Sequence, residues 1–248
     1  NKAGIQLHKI LGAGKLLRRN AKAIFVDGDQ GSDNNSGTSI TRAKATIQAG
    51  VTAAGGWGVV YVFPKNMAAG ATDPSSYAET VIIPATHEGL SLVGVGSRVQ
   101  GGLPQIKKGS GTTALITVRA PGCTVENVGF NGIWTADSTQ SLVGILLDDD
   151  GSTKTAFGTV IQNCHFKNCA GATGSTNAAV GGAITWSVKG NAWQVLVKGN
   201  RFYKNVGDVV LLGTDGSAPQ DVVIEDNIFS GPAANVDCNL FLKGGGSG

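Results

Sequence analysis

Thr159–Phe166, TVIQNCHF, is a stretch that the chain says again twice: VLVKGNRF ends at Phe202 and VVIEDNIF at Phe229, and a looser copy, CTVENVGF, ends at Phe130. Aligned on the Phe, each copy carries an aliphatic residue five places earlier (Val125, Ile161, Val197, Ile224). Asn200 and Asn227 stand two places before it, where the other copies have Val128 and Cys164. The Phe-to-Phe intervals are 36, 36 and 27 residues. A constant strand signature at unequal intervals means that one structural rung repeats while the loops between rungs vary.

A second signature follows each Phe: GILLD from Gly144, GAITW from Gly182, DVVLL from Asp208 and CNLFL from Cys238. Each rung therefore holds at least two short apolar strands separated by Gly, Asn, Ser and Asp turns. Self-similarity at this period marks a solenoid, and strands rather than helices at that period point to a parallel β-helix. No helical pattern of 10–15 residues, which a βαβ unit would require, interrupts the strands after residue 55. The predicted fold is all-β, one parallel β-helix over residues 24–243. Like should stack on like in it, with Phe130, Phe166, Phe202 and Phe229 as an internal aromatic column on coils about 4.8 Å apart. Asn200 and Asn227 fall at a turn, where Asn tolerates a left-handed backbone and its amide can ladder from coil to coil.

The composition fits this reading. Of 248 residues 38 are glycine, about twice the usual ~7%, and only seven are proline with no Gly-X-Y period, so the glycines read as turns and not as collagen. Charged residues make up 15%, which leaves a surface of Ser, Thr, Asn, Gln and Gly suited to work outside a cell. The net charge of +3 hides an asymmetry. Residues 1–23 carry six basic groups and no acid, and the remainder holds 14 basic against 17 acidic groups. By charge the body is no nucleic-acid binder. The arm, with Ile5, Leu7, Ile10, Leu11, Leu16 and Leu17 among its cations, is expected to attach to a partner rather than to its own body. Nothing approaches the ~18 apolar residues of a membrane span, and no signal peptide is visible. Cys123, Cys164, Cys169 and Cys238 form no CxxC pair and read as buried free thiols, with a Cys164–Cys169 disulfide as the alternative. The closing FLKGGGSG, residues 244–248 included, reads equally as a linker or as a loop toward a further coil.

The opening block follows an order: strand IFV, loop DGDQGSDNNSG, ATIQAGV with Ile47, Val51 and Ala54 at helical spacing, a Gly55–Gly56 stop, then VVYVFP, YAETVIIP and LSLVGVG. The helix is expected to cap the first coil, since an open solenoid end leaves bare core and unpaired strand edges. This order resembles right-handed parallel β-helix proteins of the pectate-lyase-like superfamily, among them phage tailspikes and many secreted polysaccharide-active proteins. The resemblance implies a structural, virion- or tail-associated protein of phage type that can bind a glycan, a virion or extracellular location, a homotrimer, and contacts with other virion proteins through residues 1–23. The rival expectations are a polysaccharide lyase or glycoside hydrolase, and a surface adhesin.

Candidate site residues fall into four groups. Asp27, Asp29 and Asp33 can wrap oxygens about Ca²⁺ or serve as an ordinary solvated turn, and the spacing departs from an EF-hand at Gly31 and Thr38. Asp148, Asp149 and Asp150 offer carboxylates for a hydrolase pair or a Ca²⁺-assisted lyase, but strand alternation keeps all three from converging. His165 and Arg201, one place before stacked Phe residues, should point outward as neighbours, where they can grip an acidic sugar or stand as a like-signed solvated column. Trp134, Trp193 and Tyr203 lie at variable loops, where aromatic faces suit sugar rings, while Trp186 ends a repeat strand and suits packing. The GHG and RIK motifs of polygalacturonase-like members are missing.

Overall fold

The structure is a computed structural model that describes residues 21–71, 74–96, 102–107, 114–132, 143–151, 155–171, 181–187, 192–213, 219–231 and 239–243. Most of the basic arm, Trp134, Cys238 and the 244–248 tail lie outside the described residues. The chain winds as a parallel β-solenoid with three sheets and a single α-helix among those residues. The first sheet stacks β1 (Ala23–Val26), β2 (Val59–Val62), β5 (Ser91–Gly94), β8 (Thr124–Glu126), β11 (Val160–Gln162), β14 (Leu196–Lys198) and β17 (Val223–Glu225). The second stacks β3 (Ser76–Ala78), β6 (Gln105–Lys107), β9 (Gly129–Asn131), β12 (His165–Lys167), β15 (Arg201–Tyr203) and β18 (Ile228–Ser230). The third stacks β4 (Val81–Ile83), β7 (Ile116–Val118), β10 (Ile145–Leu147), β13 (Ile184–Trp186), β16 (Val209–Leu212) and β19 (Leu240–Lys243).

The repeated eight-residue stretch is thus two strands, not one. Within a continuous strand, residues five apart face opposite sides, yet Ile161 and Phe166 are both buried in the interior. A corner at Asn163, with φ +59°, resets the alternation between β11 and β12. Asn127, Gly199 and Asp226 repeat that left-handed corner on neighbouring coils at φ +61°, +65° and +55°. This corrects the expectation for Asn200 and Asn227: the left-handed residue is the one before each of them. Asn200 and Asn227 themselves point inward as a ladder. Asn200 Oδ1 accepts the Cys164 N–H at 2.9 Å, and Asn227 Oδ1 accepts both the Asn200 N–H (2.9 Å) and its amide (3.0 Å). A second ladder, five residues on, runs from the Cys169 N–H to Asn205 Oδ1 at 2.9 Å. Cys123, Cys164 and Cys169 are buried free thiols, so the Cys164–Cys169 disulfide does not form.

Phe130, Phe166, Phe202 and Phe229 stack with centroids 4.6, 5.2 and 5.1 Å apart and planes within 10°. Burying an aromatic ring removes about 150–250 Å² from water, so the column is a main source of the solenoid's cohesion. Trp186 packs inside, its indole N–H donating to Ala192 O at 2.9 Å. At the N-terminal end α1 (Ile47–Ala54) buries Ile47, Val51 and Ala54 and stops at Gly55, φ +69°.

Candidate functional site

The three outer faces of the solenoid differ in what they offer a ligand. On the third sheet the outward Thr117, Thr185 and Val210 are themselves buried. The first sheet turns Phe25, Tyr61 and Val93 outward into a second apolar cluster with Ala43 and Val59. Further along it presents Glu126, Gln162, Lys198 and Glu225 in one column. There Lys198 is engaged by Glu225 at 2.7 Å and Asp226 at 3.5 Å, which raises its pKa through the Glu225 contact first. The second sheet is open and carries a cleft of about 480 Å³.

Strand register builds that cleft. Parallel pairing puts His165 beside Arg201 and Lys167 beside Tyr203, then Arg201 beside Ile228 and Tyr203 beside Ser230. These six side chains share the outer face because each lies one place from an inward Phe. Gly129 leaves a gap in the His165–Arg201 column, and the Gln105 side chain lies across it. A Cβ at Gly129 would stand 2.2 Å from the Gln105 amide nitrogen. Tyr203 is 50% exposed, with Lys204 Nζ 5.1 Å from its ring centroid. Imidazole, ammonium and guanidinium groups thus converge on a trough that holds an exposed aromatic ring, and none of the described lining residues is a carboxylate. An arginine fork matches a carboxylate or sulfate in two hydrogen bonds, and an exposed tyrosine offers a flat apolar face.

Three of the residues singled out in the sequence, His165, Arg201 and Tyr203, therefore meet on one surface. Lys167 and Gln105 complete it. Lys167 was legible as the residue after a stacked Phe, the column that also holds Tyr203. Gln105 lay in β6, which the repeat pattern does not reach. The other candidates stand elsewhere. Asp148, Asp149 and Asp150 follow β10 at the corner between the third and first sheets, across the solenoid from the cleft. Asp148 pairs with Arg119 Nε at 3.2 Å, Asp149 caps the Gly151 N–H at 3.0 Å, and Asp150 is exposed.

Asp27, Asp29 and Asp33 each hold a different part of the opening loop. Asp27 accepts the Asp29 and Gln30 N–H groups, and Asp29 accepts the Asn66 N–H at 2.6 Å. Asp33 accepts the Ala45 and Thr46 N–H groups and the Thr46 hydroxyl. Among the described residues no three His, Cys, Asp or Glu stand close enough to hold one metal ion. Trp193 sits at the same third-to-first-sheet corner as the Asp148 loop, tilted against Phe157 with centroids 5.9 Å apart. Among the described residues no helix is long and apolar enough to cross a membrane.

No protein-family model matches the chain, and no curated protein matches it in sequence. Among solved structures it is similar to the GH136 lacto-N-biosidase from Eubacterium ramulus. The selenomethionine form aligns with a TM-score of 0.55 at 13% identity, over 92% of this chain and 44% of that one. The native form aligns with a TM-score of 0.52 at 13% identity, over 91% and 42%. The chain spans less than half the length of that enzyme, and the likeness at this identity is one of fold.

Proposed function

We propose that this chain is a polysaccharide-holding β-helix of a virion or extracellular surface, of the tailspike and pectate-lyase-like kind, which grips an acidic glycan along the second sheet. The observation that carries the reading is the cleft itself: His165, Lys167, Arg201 and Tyr203 on adjacent coils, with no carboxylate among the described residues that line it. A glycoside hydrolase works with two carboxylates about 5–10 Å apart across the scissile bond, and a Ca²⁺-dependent lyase needs acids to hold its ion. The cleft supplies cations and a stacking ring instead, which supports holding over cleaving. The arm of residues 1–23, basic and apolar, is the segment proposed to attach the solenoid to other virion proteins, and the assembly proposed is a homotrimer.

Isothermal titration with polygalacturonate, alginate and hyaluronate tests the reading. Binding is expected to weaken with salt, because it rests on ion pairing. Arg201→Ala should weaken it about tenfold or more, the equivalent of one charge-assisted hydrogen bond of about 1.5–3 kcal/mol. Reducing ends and unsaturated products are expected to stay at background. Turnover that Arg201→Ala abolishes would replace the holding role with the lyase or hydrolase one.

A further inference from the structure

A second, chemically different strip runs along the corner between the third and first sheets. Phe157 is 38% exposed and Trp193 42%, on successive coils. Beside them the outward column of the first sheet continues the apolar surface: half-buried Val160 and Leu196, then Val223 at 49% exposure. The corner that carries the rings is held rigidly. The Gly158 N–H donates to Trp193 O at 2.8 Å and the Gln194 N–H to Gln220 O at 2.9 Å, with Gly158 and Gln194 left-handed at φ +63° and +53°. Aromatic rings fixed in advance lose little freedom when something covers them.

The size of the strip says what that something is. Side chains of this kind bury about 150–250 Å² each when fully covered, so these partial exposures leave roughly 300 Å² of contiguous apolar surface, the scale of a functional patch on an ordinary monomer. A stable protein interface needs about 800 Å² from each partner. Among the described residues the strip is too small for that and matches two sugar rings. The C–H face of a pyranose is apolar, with its hydrogens slightly positive, and it fits the negative face of an indole or phenyl ring. The amides of Gln194 and Gln220 stand at the same corner for hydroxyl groups, both exposed. The charge there does not favour an acid: Lys198 is already engaged by Glu225 and Asp226, and Asp221 follows Gln220.

We infer that Phe157 and Trp193 form a second glycan site, for a neutral oligosaccharide of at least two pyranose units, one seated on each ring, the ring planes standing 56° apart. It stands on residues separate from the acidic-glycan cleft and does not depend on that reading. The test is titration of short chito- and cello-oligosaccharides against the wild-type chain, Trp193→Ala, Phe157→Ala, Trp193→Phe and Arg201→Ala. Saturation-transfer NMR on the wild type checks that ring protons of the sugar contact aromatic side chains. Trp193→Ala and Phe157→Ala are expected to lose about tenfold or more in affinity, since each removes one of the two faces a pyranose ring would cover. Trp193→Phe should recover most of that loss, and Arg201→Ala should bind neutral sugars as the wild type does. The assignment is overturned if no neutral oligosaccharide binds, or if binding survives both alanine variants. It is equally overturned if sedimentation shows a self-association that both variants abolish, since the strip would then be a protein contact.

Discussion

At the N-terminal end of the solenoid α1 lies across the first coil and reaches the edge of β4, while the loop at Gly37 and Lys44 answers the edge of β1, whereas β17, β18 and β19 each have a strand neighbour on one side only among the described residues. The capped end is built in detail. Gln48 on α1 acts as a strand substitute for the edge of β4, accepting the Ile82 N–H at 2.7 Å and donating to Ile82 O at 3.2 Å. Glu79, from the coil beneath, accepts the Ile47 and Gln48 N–H groups at 2.9 and 3.0 Å, and Thr46 accepts that of Ala49. At the far end Phe229 is 38% exposed and Leu242 66%. The same repeat therefore places equivalent residues in different environments, and position along the axis, more than residue type, should set what each contributes.

The largest expected effect tests this directly. Phe166, buried between two rings, should lose about 3–5 kcal/mol on Phe166→Ala, as core aromatics do. Phe229→Ala, with one ring stacked on it and 38% of its surface exposed, should lose less than half of that by the same bookkeeping of area. Urea denaturation of both variants measures the ratio. Equal losses would show that Phe229 is as well covered as Phe166 and would erase the asymmetry.

Next in size is a buried acid immediately before β16, the strand that pairs with β19. Asp208 donates its backbone N–H to Asn239 O at 2.9 Å and accepts the Asn205 amide at 2.8 Å. Burial pushes its pKa up from 3.8 to about 6, against the opposing Asn205 hydrogen bond. A carboxyl whose folded pKa exceeds its unfolded one stabilises the fold while protonated. That contribution is fully present below pH 3.8 and is lost as the pH rises through about 6. The difference amounts to about 2–3 kcal/mol. Asp208→Asn should therefore be more stable than wild type at neutral pH by about that amount, and nearly equal to it in acid. A wild-type stability that does not fall between those pH values would show the carboxylate already solvated.

At the capped end the expected effect is smaller. Removing the acceptor for two helix N–H groups with Glu79→Ala should cost about 1–2 kcal/mol, the range seen for lost N-caps. Burial raises the Glu79 pKa against the two hydrogen bonds that lower it, so part of the gain from capping is offset, and Glu79→Gln should cost less than Glu79→Ala. A Glu79→Ala variant as stable as wild type would mean that Thr46 alone suffices as cap.

The Phe column and the pairing of Lys198 with Glu225 were legible from the repeat, because side chains in register on successive coils are neighbours by construction. The capping helix was legible from Ile47, Val51, Ala54 and the glycine that follows. What the repeat could not show is where alternation resets. A left-handed Asn163 or Asp226 looks like any other turn residue, and it alone decides that Ile161 and Phe166 face the same way. Nor could it show Glu79 reaching α1 or Gln105 lying over Gly129, since neither belongs to the repeated columns. The cleft was half legible for the same reason: His165, Arg201 and Tyr203 follow from the Phe register, while the placing of Asp148–Asp150 away from it follows only from the course of the coil.

The smallest expected effect concerns the opening loop at the capped end, where the three acids named from sequence serve the cap. Burial raises the Asp33 pKa, but hydrogen bonds from Thr46 and Ala45 and the charge of Lys44 outweigh it and hold it below the ordinary carboxylate value. Its contribution is thus present above pH 3.8 and is lost as the pH falls through its lowered value. Asp33→Asn keeps one acceptor oxygen and should cost no more than about 1 kcal/mol, one hydrogen bond's net worth. Asp27→Asn should cost less, as its carboxylate serves only the turn that follows it. Because these acids accept hydrogen bonds from separate parts of the loop and helix start, EDTA should leave the melting temperature unchanged. A fall in EDTA that added Ca²⁺ reverses, by linkage of binding to folding, would make this loop a cation site after all.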